Sequence, residues 1–324
     1  MSLPVPTLSP SEISYIQTSL SDPTQPTRSD SRSLLDTRPI EVSYGVFPHA
    51  NGSSRIKIGG TEVVAGIKLE VVDSSESSKG WRGKVEVDIT PQAFPSSQPS
   101  NLSSSSAYLS SILQSHFIPS IPPLVIIPNQ KYFQPQIHLT LISSDGNVLS
   151  ALVLGARSAF ADLKLPKIKI ISWVGENGEN EGEGAEGVIG KGDLSGIKAA
   201  IKSKSKRGRD ITKGGEDWDL DLSEDLVHID GREELPVLVT LNMVPNSSLN
   251  IFLDATAQEE SACPSKLHLF FNSSSQSTDQ SLKICGIRLE GGQSIDNSRI
   301  KGLIEEGARI AGELVSGLNG NLPQ

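Results

Sequence analysis

Residues 51–71, NGSSRIKIGGTEVVAGIKLEV, decide how the rest of the chain is read. Ile56 and Ile58 alternate with Arg55 and Lys57; after Gly59-Gly60-Thr61, residues Val63, Ala65, Ile67, Leu69 and Val71 alternate with Glu62, Val64, Gly66, Lys68 and Glu70. A period of two on both arms, interrupted by glycines suited to turn geometry, predicts a β-hairpin with one buried face.

Alternating segments continue outward from the hairpin. Strands are expected at 40–46, 84–89, 124–127, 137–142, 167–173, 236–244, 249–254, 267–271 and 282–289. Helical spacing appears in Leu109, Ile112, Leu113 and Phe117, where Pro119 limits the helix, and again in Leu149, Leu152, Val153, Ala156, Phe160 and Leu163 after the turn Asp145-Gly146-Asn147. A last amphipathic helix carries Ile300, Leu303, Ile304, Ala311, Leu314, Val315 and Leu318. Runs of antiparallel-type strands interrupted by helices indicate an α+β protein with mixed sheets packed on helices, not a doubly wound nucleotide fold.

Other segments lack this patterning. Residues 1–27 are rich in Pro, Ser and Thr and read as a flexible N-terminal arm, within which Ser9-Pro10-Ser11-Glu12 can cap a short helix carrying Ile13, Ile16 and Leu20. Residues 175–217 combine GENGENEGEGAEG with the basic run KSKSKRGR and read as a solvated, disordered insertion. Residues 319–324 form a short tail.

The 324 residues hold 29 Lys and Arg against 38 Asp and Glu, a formal charge of −9. That balance excludes a protein gripping nucleic acid over its whole surface, because phosphate neutralisation needs clustered cations. Cys263 and Cys285 form no metal-type pair and the five histidines lack ligand spacing, so no metal or other cofactor is expected and both thiols read as buried and reduced. The N-terminus has neither a basic start nor an apolar core, and no stretch approaches the ~20 apolar residues of a membrane span, which gives the expectation of a soluble intracellular protein.

Residues 28–53, RSDSRSLLDTRPIEVSYGVFPHANGS, together with the hairpin resemble the opening of RNase PH-like proteins, in particular the ring subunits of the RNA exosome, where an R-x-D-G-R segment precedes such strands. Ser31 stands where that segment has glycine, so the local turn is expected to differ. A second phrase, D-A-T-x-x-E-E-x-x-C over residues 254–263, looks like one branch of those ring subunits, with sibling branches open; Thr256 and Glu259 also have capping-box spacing. The resemblance covers residues 28–318 outside the insertion. It implies an RNase PH-like fold of duplicated ribosomal-protein S5 domain 2-like units.

Active members of that family degrade RNA from its 3′ end by phosphorolysis, and the resemblance locates three tests. The first is an arginine at the turn entering the second helix, placed to bond the attacking phosphate. Here the turn is Ser143-Ser144-Asp145-Gly146-Asn147-Val148-Leu149-Ser150, and Leu149 or its neighbour takes that place. Arg157 lies two helical turns on and reads as a surface or intersubunit salt bridge.

The second test is an acidic pair that binds a divalent ion and assists the leaving group. The counterpart of its second member is Pro236. Asp217, Asp219, Asp221, Glu224, Asp225, Glu233 and Glu234 read as a solvated acidic loop instead. The third test is a basic stripe on the first long helix, where this chain has Gln114, Ser115 and His116. No catalytic residue is assigned on these grounds.

Only Lys79 and Arg82, in the loop DSSESSKGWRG of residues 73–83, stand as RNA-binding candidates, with Trp81 read as packing. The resemblance then implies a non-catalytic ring subunit. Its partners would be other RNase PH-like subunits in a hetero-hexameric ring, cap subunits with RNA-binding domains, an associated hydrolytic nuclease, and single-stranded RNA in the channel. Nucleus, nucleolus and cytoplasm are the expected locations, and KSKSKRGR suits either a nuclear-import signal or an ordinary charged insertion. Two other readings stay open: a phosphorolytic 3′-to-5′ exoribonuclease, alone or with a site shared with a partner, and an S5-like interaction module unrelated to RNA.

Overall fold

A computed structural model describes residues 3–73, 83–127, 130–172, 216–220, 226–245, 250–273, 282–292 and 294–323. Strands β2 (Gly52–Ile58) and β3 (Thr61–Asp73) pair antiparallel, with Ile58 opposite Thr61 and Ile56 opposite Val63. Gly59 at the link has φ +56°, and a Cβ there would collide with the Arg38 side chain. Ile56, Ile58, Val63, Ala65 and Ile67 form the buried face that the alternation predicts.

The first sheet has the order β1-β2-β3-β6-β4, where β1 is Ile40–Tyr44, β4 Lys84–Ile89 and β6 Lys131–Ser143, and β5 (Leu124–Ile127) also pairs with β6. Strands β4 and β6 run parallel, which requires a crossover. The helix expected from Leu109, Ile112 and Leu113 supplies it as α2 (Pro99–His116), packed on β4.

A second sheet has the order β12-β11-β13-β14, all antiparallel: β11 is Val237–Met243, β12 Ile251–Phe252, β13 Lys266–Asn272 and β14 Lys283–Glu290. Helix α3 (Val148–Ala161) packs on β2 and β3 and also on β11. All its residues are buried, although its apolar spacing predicted a single face. Every residue of β11 is buried too, because α3 and the last helix, residues 297–319, both pack on it. That helix buries Leu303, Gly307, Ala311, Val315 and Leu318, close to one residue per turn.

The N-terminal segment differs from the flexible arm expected of it. Helix α1 (Pro10–Ser21) has the capping box predicted at Ser9 and Glu12 and packs on α4 (Ala257–Ala262). Leu20 is buried among Val244, Phe252, Ala262 and Cys263, with Ile13 and Ile16 against the same cluster. Gln17 Nε2 donates to the Ala262 carbonyl at 2.6 Å and Asn250 Nδ2 to the Leu20 carbonyl at 2.8 Å. The apolar spacing of α1 was legible; its docking surface lies some 240 residues away and leaves no local trace.

At Ser31 the backbone keeps the left-handed conformation that a glycine would favour, with φ +63° and Ser31 N bonded to the Arg28 carbonyl. The C-terminal tail is tied down: Asn319 completes α5 (Asn297–Asn319), and Arg232 Nη1 donates to the Pro323 carbonyl at 2.8 Å.

Short strands β7 (Lys164–Leu165) and β10 (Val227–His228) pair within the same compact unit. Residues 166–225 form a second unit, whose described part is an antiparallel ribbon of β8 (Ile168–Ser172) and β9 (Glu216–Leu220). Glu216 and Asp217, read as the end of the insertion, belong to β9; residues 175–215 lie outside the described residues. Among the described residues, no helix is long and apolar enough to cross a membrane.

Candidate functional site

The turn Asp145-Gly146-Asn147 delivers the chain into α3, with Gly146 at φ +83° and Asn147 at φ +54°. Thr61, at the start of β3, fixes it from the hairpin: its Oγ1 donates to the Gly146 carbonyl at 2.6 Å and accepts from Asp145 N at 2.8 Å. Arg38 Nη1 holds the other side, donating to the Asp145 carbonyl and to Asp145 Oδ2 at 2.9 and 3.0 Å.

Behind the turn is a buried charge network. Asp254 accepts from Arg38 N, Nε and Nη2 at 2.8, 2.7 and 2.7 Å, from Arg32 Nη1 at 3.1 Å and from Asn147 Nδ2 at 2.8 Å. Burial by itself would raise the Asp254 carboxyl, but the bonds and charge of Arg38 outweigh it and hold the group below the usual aspartate value. Arg28 pairs bidentately with Glu259 at 2.9 and 2.6 Å and also donates to the carbonyls of Leu253 and Asp254. The two arginines of the RSDSR phrase thus grip the Asp254-to-Glu259 loop, joining the two phrases singled out in the sequence.

The residues facing the start of α3 are the ones that bear on chemistry. Leu149 is buried at the start of α3, and Pro236 is buried directly before β11. Asn147 N donates to Glu260 Oε1 at 2.9 Å, and Lys266 Nζ lies 2.6 Å from that same oxygen. The cleft beside them, bordered by Leu3, Tyr108, Val148, Leu149, Lys266 and His268, has a volume of about 20 Å³, space for one water and not for a nucleotide.

Tyr108, Thr240, His268 and Glu290, which also line this cleft, belong to a second polar cluster. Ser150 Oγ and Thr240 Oγ1 are 3.1 Å apart, Thr240 Oγ1 is 3.0 Å from His268 Nδ1, and His268 Nε2 is 3.6 Å from Glu290 Oε2. Tyr108 Oη donates to Glu290 Oε1, Arg288 Nε donates to the same oxygen at 3.1 Å, and the Arg288 guanidinium lies 5.1 Å from the Tyr108 ring centroid. Burial works to raise the Glu290 carboxyl, yet the His268 and Tyr108 hydrogen bonds and the His268 charge bring it down to about 2.

Arg157 corrects a sequence expectation. It is buried, and among the described residues it pairs with no carboxylate but donates to the Leu235 carbonyl, to the Glu233 carbonyl at 3.4 Å and to Asn319 Oδ1 at 2.7 Å. Its burial without a carboxylate pushes the guanidinium down to about 10. Helical spacing indicated that Arg157 was outward-facing because it could not reveal that α3 is covered on both sides.

The remaining candidates divide. Gln114 Oε1 accepts from Val85 N at 3.1 Å and its Nε2 donates to the Gly83 carbonyl at 3.0 Å, so this position on α2 anchors the start of β4. His116 stacks on Phe270 with ring centroids 5.0 Å apart, and burial lowers its pKa. Lys79, Trp81 and Arg82 lie outside the described residues, as do Asp221, Glu224 and Asp225. Cys263 is buried, which pushes its thiol up to about 12; Cys285 is free but exposed on β14, contrary to the expectation of two buried thiols. Among the described residues no three His, Cys, Asp or Glu side chains come together to hold a metal.

Sequence reasoning missed Arg38, Glu260, Lys266, His268 and Glu290. The signal available was partial: Glu259 and Glu260 sit in a quoted phrase, but nothing local couples Glu260 to Lys266 or His268 to Glu290.

Residues 36–166 match the model of the 3′ exoribonuclease family, domain 1. The chain is 31% identical over 148 residues to the exosome complex component Rrp42 of Sulfurisphaera tokodaii, a match covering 44% of this chain and 54% of that protein. It is 29% identical over 150 residues to the component of the same name from Methanopyrus kandleri, covering 44% and 56%. The chain therefore spans just over half the length of the curated relatives it matches. A solved structure of the Archaeoglobus fulgidus exosome with RNA bound to the active site superposes with a TM-score of 0.63 at 20% identity, over 95% of this chain and 97% of that one. The family match is confined to residues 36–166, and the superposition shows that the chain has the RNase PH-like fold.

Proposed function

We propose that this protein is a non-catalytic structural subunit of the RNA exosome core ring, related to Rrp42, that supports 3′-to-5′ RNA processing and degradation, including ribosomal RNA maturation, by holding the ring together and lining its channel. The observation that carries the non-catalytic part is the start of α3. Phosphorolysis needs a cationic donor for phosphate at that turn, and the chain has buried Leu149 there beside a cleft of about 20 Å³. The similarity to Rrp42 components supports the ring, and with it partners of three kinds: other RNase PH-like subunits, cap subunits with RNA-binding domains, and a separate hydrolytic nuclease. Single-stranded RNA would pass through the channel, with Lys79 and Arg82 as its contacts from this chain. Nucleus, nucleolus and cytoplasm are the compartments that such work requires.

The test is to incubate RNA and inorganic phosphate with the purified chain, alone and reconstituted with RNase PH-like partners. The expected result is no nucleoside diphosphate from the chain alone, and no loss of diphosphate release from the assembly when Glu260 or Lys266 is replaced. Release by the chain alone, surviving removal of contaminating nuclease, would overturn the reading; dependence of the assembly on either residue would establish a shared site instead.

A further inference from the structure

We propose that Glu260 is the resident anion of the turn at the start of α3, a carboxylate supplied by the chain itself that keeps inorganic phosphate out. This rests on the non-catalytic reading of the chain and gives that reading an agent. Residues 148–161 form a 14-residue helix whose positive end attracts negative charge. Its N-cap residue, Asn147, makes no side-chain cap bond, its Nδ2 donating to Asp254, and the Asn147 backbone N–H, like the other first N–H groups of a helix, has no partner within the helix. Glu260 Oε1 takes that bond at 2.9 Å, and Lys266, with 13% of its side chain exposed, completes the arrangement at 2.6 Å. One oxygen thus meets a backbone N–H and an ammonium together, the donor set that a phosphate oxygen would use.

Two further features show that the turn is closed rather than merely polar. A Cβ on Gly146 would collide with the Ala255 carbonyl, so the loop leading into α4 lies directly on the turn. Leu3 borders the small cleft, and Ser261 Oγ fastens the same N-terminal segment by donating to the Pro6 carbonyl at 2.7 Å. A second cavity, of about 250 Å³, is lined by Pro6, Phe94, Ser144, Gly146, Val148 and Glu260, and so shares Val148 and Glu260 with the small cleft. The Glu260 side chain borders both spaces. Its removal would leave Lys266 and the Asn147 N–H without their carboxylate, beside the space the side chain vacates.

The experiment is thermal unfolding of the full chain in sodium phosphate against sodium chloride at matched ionic strength. The wild type is expected to show no phosphate-specific shift. Glu260→Ala is expected to gain one, roughly 2–3 °C at ten times its phosphate Kd, and Glu260→Ala with Lys266→Met is expected to lose that gain. Should Glu260→Ala fail to fold, Glu260→Gln carries the test, because it keeps the volume while removing the charge, and a smaller shift of the same sign is expected. A phosphate shift in the wild type equal to that of the variants, or none in any folded variant, would overturn the proposal. Diphosphate release by the wild-type chain would break the underlying reading; a silent wild type whose variants ignore phosphate would break this inference alone.

Discussion

Asp254 and Glu290 are both carboxylates held by several donors, yet they sit in environments of different depth. The side chain of Asp254 is 1% exposed and meets donors fixed by the backbone or by packing: the Arg38 amide, the Arg38 guanidinium and the Asn147 carboxamide. That of Glu290 is 25% exposed and is held by Tyr108, His268 and Arg288, side chains on α2, β13 and β14 itself. The first ties the N-terminal segment and the α3 turn to the second half of the chain; the second pins the end of a sheet to a neighbouring helix. Their difference teaches that a charge network is a structural lock when its donors cannot leave, and a titratable clasp when water can replace them.

The largest effect expected from breaking this comparison is at Asp254. Replacement by alanine leaves the Arg38 guanidinium, 9% exposed, facing an empty pocket, with the partly exposed Asp145 as its remaining carboxylate. It also imposes alanine on φ +45°, a conformation that asparagine tolerates better. A loss of about 3–5 kcal/mol is expected in denaturant unfolding. Asp254→Asn separates the causes: it keeps the backbone preference and loses the charge, so it should recover the smaller part of the loss. Full recovery would show that Asp254 acts through backbone geometry and not as a charge lock.

How much of this was legible follows from the range of each interaction. The Ile56–Ile58 and Val63–Ile67 faces were visible because a pleated strand writes its burial at every second residue, and the Gly59-Gly60 turn was visible because few residues replace glycine there. The Asp145-Gly146-Asn147 turn was legible for the same reason. Arg28 and Glu259 are 231 positions apart, and a pair at that distance has no period to read. Thr256 and Glu259 had a sufficient local explanation in their capping box, which the structure contains; that Glu259 also binds Arg28 required the fold. Arg157 was misplaced because periodicity assigns one buried face, whereas α3 is enclosed on both.

The Glu290 clasp is expected to matter less, and only over part of the pH range. Its folded carboxyl titrates at about 2, below the ordinary 4.5, so the stabilisation is complete above the unfolded value and is lost as pH falls through the folded one. The shift corresponds to about 2–3 kcal/mol once the partial exposure of the site is allowed for. Glu290→Gln should therefore unfold at a lower temperature than the wild type at pH 7, with the gap narrowing below pH 4 and closing near pH 2. A gap that stays constant on acidification would mean that the variant disturbs packing and that Glu290 is no clasp.

Tyr108→Phe probes the same clasp by a single hydroxyl and should give the smallest change. The Tyr108 hydroxyl donates to Glu290 Oε1 and accepts from Arg288 Nη2 at 2.9 Å, while the ring beneath the Arg288 guanidinium survives in phenylalanine. The cost is one hydrogen bond in a half-exposed setting, about 1 kcal/mol. If the clasp acts as a unit, Tyr108→Phe will cost less in the Glu290→Gln background than in the wild type, because the charged acceptor has already gone. In the Asp254→Asn background it should cost the same as in the wild type, since the two carboxylates share no partner. A coupling of Tyr108 to Asp254 as large as that to Glu290 would merge the lock and the clasp into one network running along the start of α3, with the Asn147 turn as its middle.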